Sequence, residues 1–498
     1  MSLTLTQLLE DLPGARLSAP VPAGDVRVGG IAYDSRRVQP GEIFVCIRGF
    51  VHDGHEYAAQ AAEKGAAALL VERVVPVALP QVVVDDTRRA MGLVAARLYG
   101  HPSSRLRLIG VTGTNGKTTT TFLVRSILEE AGRTCGLIGT VEQSVGRRKS
   151  AAARTTPESA DIQRLLSEMV ANGCSAAAME VSSHGLVLQR MVGTEFDVAV
   201  FTNLTQDHLD FHRTLDDYRD AKALLFRSLV PADPQNPVKA RKCAVINADD
   251  PQAEAFVRAS AAPVVTYGLT DEADVRARDV RVEADGVSYT LVTPVGSRPV
   301  RLRLTGRFNV YNSLAAIAVA IHEGVDLDTA ARGIEHTVVP GRFEPVVAGQ
   351  DFSVIVDYAH TPDSLENVLQ TARSLTKGRV ICVVGAGGDR DRTKRPLMGE
   401  VAAQLADYVV VTSDNPRSED PAAICEDVAA GVRRRPVPFD IVIDRREGIR
   451  RAIAAARTGD IVLIAGKGHE TYQEFKGQRI HFDDREEARK ALLERGGA

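Results

Sequence analysis

A glycine-rich turn between a predicted strand and a predicted helix restricts the fold of this chain more than any other feature. The segment reads IGVTGTNGKTT over residues 109–119. The run RLIGV leads into it and is typical of a buried strand, whereas TTTTFLVRSILEE follows with apolar residues at helical spacing. Unpaired backbone N–H groups and the positive end of a helix dipole meet at such a turn. The segment therefore predicts a phosphate-binding loop.

The residue types in this loop fit a nucleotide triphosphate. Gly113 and Gly116 allow the backbone to approach a phosphate closely. Lys117 is placed to contact the β and γ phosphates, and the Thr118 hydroxyl can bind magnesium. The loop is a variant, because Val111 stands where the standard G-x-x-x-x-G-K-[ST] spacing has its first glycine. The alternative, a glycine turn with an incidental lysine, is disfavoured by the strand and helix on either side.

Length and composition indicate a multidomain globular protein. At 498 residues the chain exceeds a single hydrophobic core, and chains of this size divide into about three domains. A hydrophobic content of 44% and a charged content of 25% are ordinary for a soluble protein. The net charge of -3 predicts no nucleic-acid partner, since it leaves no electrostatic footprint for one.

Cysteine usage and hydropathy predict a cytoplasmic protein without membrane insertion. The six cysteines are scattered with no C-x-x-C pair, as expected of reduced thiols. The opening MSLTLTQLLEDLPG has acidic residues and no long apolar run, so we expect neither a secretory signal nor an anchor. No later run approaches the about 18 consecutive apolar residues of a membrane span.

Short β-branched runs alternate with Ala-rich and Leu-rich helical segments, which predicts an α/β protein. We expect three α/β domains over residues 1–106, 107–338 and 339–498. In the third, strand-like runs separated by helix-length segments predict a doubly wound parallel sheet. These runs are FSVIVDYAHTP, GRVICVVGAGGDRD, ADYVVVTSDNPR, PFDIVIDRREG and DIVLIAGKGHE.

Two strand-like runs of the central domain end in dense polar side chains. AMEVSSHG places Glu180 at the end of one run, and FTNLTQDHLDFH places His208 after another. Ligand sites in open parallel sheets lie at such strand ends. A carboxylate together with an imidazole can hold Mg²⁺ against nucleotide phosphates. Each residue alone would more often be a cap or a surface group, so the prediction depends on their density.

A series of segments along the chain resembles one known family. The segments are TGTNGKTTT, MEVSSHGL, FTNLTQDHLDFH, YRDAKALLF, GRFNVYNSLAA, PGRFE, VDYAHTPDS, GAGGDRDRTKRPLMG, SDNPR and GKGHETYQ. In this order they resemble the Mur ligases, the ATP-dependent amide-bond-forming enzymes of peptidoglycan synthesis. With the segment AYDSRRVQPGEIFVCIRGFVHDG, the resemblance runs from about Asp34 to Gln473. The variant phosphate loop is the form that this family has.

The resemblance implies a three-domain Mur ligase architecture. It implies an N-terminal UDP-MurNAc-binding domain, a central ATPase domain of P-loop type and a C-terminal Rossmann-like domain that binds an amino acid. The chain is most similar to the family members that add the third residue of the stem peptide. They ligate meso-2,6-diaminopimelate to the D-glutamate side-chain carboxylate of UDP-N-acetylmuramoyl-L-Ala-D-Glu through an acyl phosphate. L-lysine or L-ornithine is the alternative third residue. The implied role is cell-wall biogenesis, and thus cell shape and division.

The resemblance also implies the residues that bind ATP and metal. The matching ATP-binding positions are Gly113, Thr114, Asn115, Gly116, Lys117, Thr118, Thr119, Asn309, Arg342, Tyr358 and His360. The matching catalytic positions are Lys117, Glu180, His208 and Lys222. Magnesium is implied at Thr118, Glu180, His208 and Lys222, with Lys222 carbamylated by carbon dioxide. From its helical segment DDYRDAKALLF alone, Lys222 would be placed on the protein surface.

Two further sets of residues match substrate-binding positions. The UDP-MurNAc-peptide set is Ser35, Phe50, Val51, His52, Thr155, Thr156, Ser183 and Arg190. The amino-acid set is Arg390, Asp414, Asn415, Pro416, Arg417, Gly466 and Glu470. In the family, the D-N-P-R form goes with diaminopimelate, because an arginine can grip its distal carboxylate, while Glu470 would pair with the distal ammonium. Leu188, with Gln189 beside it, stands where relatives can have glutamine. The resemblance therefore does not assign a contact to the muramoyl peptide at this position.

Two other classes of protein would also use a phosphate loop. A folylpolyglutamate synthetase shares ATP-dependent ligation, but would lack D-N-P-R in this setting and needs no uridine-binding domain. A nucleotide-dependent switch or binding module would have no carboxylate acceptor. For the ligase we expect that no oligomer is required.

Overall fold

The first part of the chain forms a small α/β unit around a five-stranded sheet. The computed structural model describes residues 2–18, 25–152, 154–283 and 286–496. The elements of this unit are β1 (Leu3–Thr4), α1 (Leu5–Leu9), β2 (Arg16–Leu17), β3 (Arg27–Val28), β4 (Gly30–Ala32), β5 (Glu42–Val45), a 3-10 helix (Gly54–Tyr57), α2 (Ala58–Glu63), β6 (Ala68–Val71), β7 (Gln81–Val83) and α3 (Thr87–Leu98). The sheet order is β2-β7-β6-β5-β4, and β1 pairs with β3. Strands β4 to β7 are parallel.

The middle of the chain forms an eleven-stranded sheet. After a 3-10 helix (Pro102–Arg105), its elements are β8 (Arg107–Thr112), α4 (Lys117–Glu130), β9 (Cys135–Ile138), β10 (Glu142–Val145), β11 (Arg148–Ala151), α5 (Ser159–Ala171), β12 (Ala176–Glu180), α6 (Ser183–Val187), β13 (Val198–Phe201), α7 (Leu209–His212), α8 (Leu215–Arg227), β14 (Cys243–Asn247), α9 (Ala253–Ala259), β15 (Val264–Gly268), β16 (Val275–Glu283), β17 (Gly286–Thr293), β18 (Gly296–Leu302), α10 (Arg307–His322) and α11 (Leu327–Glu335). The order is β11-β10-β9-β12-β8-β13-β14-β15-β16-β17-β18.

This middle sheet is buried on both faces where it carries the phosphate loop. All of β8 is buried, and it pairs in parallel with β12 and β13. One apolar cluster packs α4 and α10 on one face, and another packs α5 and α8 on the opposite face. Parallel strands covered on both sides are almost entirely apolar, so their polar residues collect at the carboxyl ends. Those ends meet at one edge of the sheet, where ligands bind in such folds.

The last part of the chain forms a six-stranded sheet. Its elements are β19 (Glu344–Pro345), β20 (Ser353–Asp357), α12 (Pro362–Leu375), β21 (Val380–Val384), α13 (Lys394–Leu405), β22 (Tyr408–Val411), α14 (Pro421–Val432), β23 (Phe439–Ile441), α15 (Arg445–Ala455), β24 (Ile461–Ala465), β25 (Tyr472–Phe475), β26 (Gln478–His481) and α16 (Asp484–Gly496). The order is β19-β20-β24-β21-β22-β23. The predicted strands are confirmed, since β20 to β24 pair in parallel.

No helix in the described part of the chain combines the length and apolarity that a membrane crossing needs. All six cysteines are buried and free. The α/β prediction is confirmed in all three parts of the chain.

Candidate functional site

Two adjoining cavities lie between the middle and last parts of the chain. The inner cavity has a volume of about 280 Å³, and the outer cavity has a volume of about 510 Å³. Both are lined by the phosphate loop and by residues from the last part of the chain. The shared lining residues are Asn115, Gly116, Thr118, Arg342, Tyr358 and His360. The phosphate loop therefore separates two compartments that a single elongated ligand can bridge.

The phosphate loop has the strand, turn and helix that its sequence predicts. Its backbone turns through Gly113 at φ 151° and Gly116 at φ 85°. A Cβ atom on Gly116 would lie 2.4 Å from Asn312 Oδ1, so only glycine fits there without displacing a neighbour. The Lys117 ammonium donates to the Gly113 and Thr114 carbonyls, at 2.8 Å each. Burial lowers the pKa of Lys117 from its usual value.

Glu180 lies at the end of β12 and offers oxygen ligands beside this loop. Its carboxylate accepts from the Thr118 hydroxyl at 3.0 Å and from the Thr140 N–H at 2.7 Å. Carboxylate and hydroxyl oxygens, with substrate phosphates, suit Mg²⁺. In the described ranges, no three His, Cys, Asp or Glu side chains cluster as a metal site. Glu180 and Thr118 therefore fit a magnesium ion whose other ligands come from outside that residue set. Thr140, which carries no motif signal, was missed by the sequence reasoning.

The surface position that the helix pattern predicts for Lys222 is wrong. Lys222 lies on α8, is 1% exposed, and donates to the Gly113 carbonyl at 2.8 Å. Its ammonium sits 4.2 Å from the centre of the Tyr218 ring. Burial, and then the charge of Lys117, hold the pKa of Lys222 well below its ordinary value. The cavity therefore makes the Lys222 ammonium easier to deprotonate than that of an exposed lysine.

His208 and its neighbour Asp207 complete this wall of the inner cavity. His208 Nε2 lies 3.3 Å from Asp207 Oδ2. Burial lowers the pKa of His208 to about 3, which keeps the imidazole neutral and able to act as a ligand. Asp207 Oδ1 also lies 3.6 Å from the Lys394 ammonium, from α13 in the last part of the chain. Asp207 belongs to the polar run FTNLTQDHLDFH but was assigned no role, and Lys394 was not predicted, because their contact joins distant parts of the chain.

Arg342 brings the last part of the chain onto the phosphate loop. It donates from Nη2 to the Thr118 hydroxyl at 3.0 Å, and its guanidinium lies 4.6 Å from the Tyr358 ring centre. Its Nε is buried without a hydrogen-bond partner. Such an orphaned donor beside a phosphate loop fits an anionic ligand. His360 donates from Nδ1 to the Tyr358 carbonyl at 2.8 Å, and burial lowers its pKa to about 4.

Asn309 lies one layer behind the outer cavity. It is 1% exposed and donates to the Thr305 carbonyl at 2.8 Å. Its side-chain oxygen accepts from Asn312 at 3.0 Å, and Asn312 is the residue that lines the cavity. The structure therefore places Asn309 as the support of Asn312, and direct contact between Asn309 and ATP stays a prediction.

Further residues of the outer cavity were not among the predicted ATP-binding residues. Its remaining lining residues include Thr202, Asn203, Asn247, Tyr267, Tyr311, Asp363 and Asn367. Asn115 of the phosphate loop donates to Asp363 at 2.6 Å, which links the loop to α12. These side chains come from several strands and helices, and only some of them, such as Asn203, Tyr311 and Asp363, lie in the segments that resemble the family.

Six of the seven predicted amino-acid-binding residues line the far end of the inner cavity. They are Arg390, Asp414, Asn415, Arg417, Gly466 and Glu470, whereas Pro416 does not line it. Arg417 donates to the Gly388 carbonyl at 2.6 Å. Glu470 accepts from Asn415 at 2.8 Å and from the buried Lys467 at 2.9 Å. Lys467 was not predicted, and it already provides Glu470 with a cation.

Electrostatics favour an anionic ligand between two arginines at this end. Burial and then Arg417 lower the pKa of Arg390, so the two guanidinium groups repel each other. Burial alone would raise the pKa of Asp414, but Lys467, Arg445 and Arg417 lower it, so that it stays ionised. Positive and negative side chains thus coexist in the pocket, as a zwitterionic ligand requires.

The residues predicted to bind the UDP-sugar peptide are divided between two places. Thr155 and Ser183 line the inner cavity. Thr156 and Arg190 lie beside it, and Arg190 donates to the Thr156 carbonyl at 3.0 Å. Gln189, next to Leu188, donates to Asp86 of the first part of the chain at 2.5 Å. Its side-chain amide is therefore already hydrogen-bonded within the protein.

The remaining predicted residues lie on the first part of the chain, away from both cavities. Ser35 donates to Gln60 at 2.6 Å. Phe50 and Val51 are 80% and 85% exposed, and the Tyr57 hydroxyl lies 3.4 Å from His52 Nδ1. The Phe50 ring meets Phe211 of the middle part edge-on, at 6.2 Å. The exposed pair therefore lies near the middle part without entering the inner cavity.

Comparison with known proteins identifies relatives along the whole chain. Models of a Mur ligase family catalytic domain, a Mur ligase middle domain and a Mur ligase glutamate ligase domain match residues 27–99, 111–320 and 341–468. The UDP-N-acetylmuramoyl-L-alanyl-D-glutamate--2,6-diaminopimelate ligase of Geobacillus kaustophilus (strain HTA426) is 51% identical over 494 residues, covering 99% of this chain and 100% of that protein. The protein of the same name from Geobacillus thermodenitrificans (strain NG80-2) is 50% identical over 493 residues, covering 99% of each chain.

A solved structure supports the same relationship. It is described as a UDP-N-acetylmuramoyl-L-alanyl-D-glutamate--2,6-diaminopimelate ligase and is 35% identical to this chain. The two superimpose with a TM-score of 0.69, and the match covers 100% of both chains. The likeness therefore extends over the whole chain.

Proposed function

The chain belongs to the Mur ligase family, and from that membership we propose that it ligates meso-2,6-diaminopimelate to UDP-N-acetylmuramoyl-L-alanyl-D-glutamate with consumption of ATP. The observation that carries this proposal is the inner cavity, where the phosphate loop, the buried Lys222 and the D-N-P-R segment face one space. Curated relatives whose names state this activity match the chain over its full length. A folylpolyglutamate synthetase or a simple nucleotide switch would not account for that match.

The first step transfers the γ-phosphoryl group of ATP to an oxygen of the D-glutamate side-chain carboxylate. It forms an acyl phosphate and releases ADP. Because two anions must approach each other, positioning and charge neutralisation are what the protein supplies. Lys117 and Arg342 bring positive charge to the phosphate loop, and the orphaned Arg342 Nε has a donor free for a phosphate oxygen. ATP lies with its phosphates over the loop and its remainder in the outer cavity.

Glu180 and Thr118 would hold a magnesium ion, which supplies further positive charge next to the phosphates. The resemblance adds His208 and carbamylated Lys222 as ligands. The low pKa of Lys222 supports carbamylation, because a neutral amine can attack carbon dioxide and lose a proton to form the carbamate anion. The neutral imidazole of His208 is likewise in the protonation state that a metal ligand needs.

The second step joins the amino acid. Its unprotonated amine attacks the acyl carbon to form a tetrahedral intermediate, and the carbon–oxygen bond to phosphate then breaks. Inorganic phosphate leaves, and the amine nitrogen loses a proton as the amide forms. Asp414, Arg390 and Arg417 orient the amino acid at the far end of the inner cavity.

The two mutually repelling arginines favour diaminopimelate over lysine and ornithine. Arg390 and Arg417 are relieved of repulsion when a carboxylate lies against them. Diaminopimelate has a carboxylate at each end, whereas lysine and ornithine have only one. A bidentate contact between arginine and the distal carboxylate would therefore select diaminopimelate.

Phosphate release decides between these alternatives. The purified chain is incubated with ATP, Mg²⁺ and UDP-N-acetylmuramoyl-L-Ala-D-Glu, with meso-diaminopimelate, L-lysine or L-ornithine added singly. We expect release to depend on both substrates and to be fastest with diaminopimelate. Faster release with lysine or ornithine would overturn the amino-acid assignment, and release without any amino acid would overturn ligation.

The structure also bears on where and how the enzyme works. Activity without an oligomer stays a prediction. Six free cysteines and the use of ATP support a cytoplasmic location.

A further inference from the structure

A buried ion pair lies behind the amino-acid end of the inner cavity, and the proposed mechanism does not use it. Arg445 is the first residue of α15, and Asp484 is the first residue of α16. Both side chains are 0% exposed, and Arg445 donates from Nε and Nη2 to the two Asp484 oxygens at 2.7 Å each. Neither residue lines the inner cavity. Since a guanidinium has five donors in a rigid fork, its remaining contacts show what else it holds.

Those contacts reach the backbone just before two residues of the cavity. Arg445 donates from Nη2 to the Ala465 carbonyl at 3.0 Å and from Nη1 to the Ser413 carbonyl at 3.3 Å. The next residues along the chain are Gly466 and Asp414, and both line the cavity. One side chain therefore joins the backbone of the two turns that present them.

Sheet pairing does not fix these two turns relative to each other. Ala465 ends β24 and Ser413 follows β22, but β21 lies between these strands in the sheet. No ladder hydrogen bonds therefore run from one turn to the other. The two turns approach each other closely, because Gly466 has φ 117° and a Cβ atom there would lie 2.6 Å from Asp414 Oδ2. A shift of either turn changes the shape of the pocket.

We propose that Arg445, clamped by Asp484, is a positioning residue for the amino-acid substrate, because it holds the carboxyl ends of β22 and β24 at a fixed spacing. Asp414 and Gly466 then keep their places in the pocket. This inference rests on the proposed function, in which this end of the cavity binds the amino acid. Loss of the clamp should weaken binding of the amino acid and leave ATP and the UDP-sugar peptide unaffected.

The same domain contains a second arginine–aspartate pair for comparison, in which the arginine is partly exposed. Arg379 precedes β21 and Asp460 precedes β24, so this pair joins the amino ends of two strands at the opposite edge of the sheet. Arg379 donates from Nη2 to Asp460 Oδ2 at 2.7 Å and to the Ala455 carbonyl at 2.7 Å. Neither residue lines the inner or outer cavity. Its loss should destabilise the domain without changing the pocket.

The experiment compares double variants, because Arg445→Met alone leaves a buried carboxylate unpaired and can prevent folding. Arg445→Met/Asp484→Asn and Arg379→Met/Asp460→Asn are assayed for thermal unfolding, kcat and the KM of each substrate. We expect the first variant to raise the KM of the amino acid about tenfold, as expected for loss of one or two hydrogen bonds. Its other two KM values, and all three of the second variant, should stay within about twofold of the wild type.

A conservative variant keeps the test decisive if the double variant does not fold. Arg445→Lys retains the charge facing Asp484, but one ammonium cannot span both carboxylate oxygens and both carbonyls. It should raise the KM of the amino acid by a smaller factor than the double variant. Unchanged KM values for the amino acid, or equal increases for all three substrates, would overturn the positioning role.

The wild type separates this inference from the proposed function. If it turns over lysine instead of diaminopimelate, the amino-acid assignment fails, and the variants are compared with lysine. If it turns over no amino acid, the proposed function and the positioning inference both fail before any variant is made. If the wild type is active and the Arg445 variants have the same KM values as the wild type, the positioning inference alone is overturned.

Discussion

Replacing Gly116 by alanine tests why the phosphate loop has glycine at that position. Gly116 has φ 85°, and a Cβ atom there would lie 2.4 Å from Asn312 Oδ1. Asn312 cannot yield freely, because it donates to Asn309 at 3.0 Å and lines the outer cavity. The substitution therefore strains the backbone and displaces a residue of the site.

The expected loss can be worked out from these contacts. A non-glycine residue in left-handed geometry costs about 1–2 kcal/mol. Displacing Asn312 breaks its hydrogen bond to Asn309, which costs about 1 kcal/mol. The sum of about 2–3 kcal/mol, if it falls on the nucleotide-bound loop, weakens ATP binding about 30- to 150-fold.

Gly132→Ala is the matched control at the other end of the same helix. Gly132 follows α4 with φ 73°, and a Cβ atom there would meet nothing within 4 Å. It should share the backbone strain, so unfolding of both variants shifts to lower temperature. ATP affinity, measured by calorimetric titration, should fall only in Gly116→Ala. If both variants bind ATP as the wild type does, the close approach to Asn312 is irrelevant and the phosphate-loop argument is refuted.

Three further predictions concern other parts of the molecule. Lys222→Ala should lower kcat about 100-fold or more, and Lys222→Glu should not fully restore it; near-normal turnover of Lys222→Ala would refute the metal-ligand role. Arg417→Lys should raise the KM of diaminopimelate about tenfold without changing that of ATP, because the bidentate contact is lost. Hydrogen bonds from Arg395 hold the pKa of Glu419 at about 2, below its usual 4.5. The ionised carboxylate therefore stabilises the fold fully above pH 4.5, and this stabilisation disappears as the pH falls through about 2. Glu419→Gln should thus lower the unfolding temperature at pH 7, with a difference that shrinks toward pH 2; a constant difference would contradict this.

Residues whose role depends on neighbours in sequence were predicted well. The glycines, the lysine and the apolar pattern on either side predict the phosphate loop. The structure has β8 at Arg107–Thr112 and α4 at Lys117–Glu130, on the two sides of this loop. The apolar runs likewise predict the five parallel strands of the last sheet. Hydrophobic periodicity and turn chemistry act over a few residues, so a short window contains all the information that they need.

Residues whose role depends on distant partners were not predicted from their own segments. Lys222 looks exposed on its helix, but the Gly113 carbonyl that covers it is 109 positions away. The contact between Arg342 and Thr118 spans 224 positions. For such residues only the resemblance to a family indicated a role, and it gave no reason for the role.

Local chemistry was thus enough for the α/β class, the phosphate loop and the strands of the last sheet. Packing alone set the strand order that separates β22 from β24, the burial that lowers the pKa of Lys222, and the layering of Asn309 behind Asn312. It also set the clamp of Arg445 on Ser413 and Ala465. The reason is physical: desolvation and hydrogen bonding depend on which atoms surround a group, and in a three-domain chain those atoms come from segments far apart in sequence.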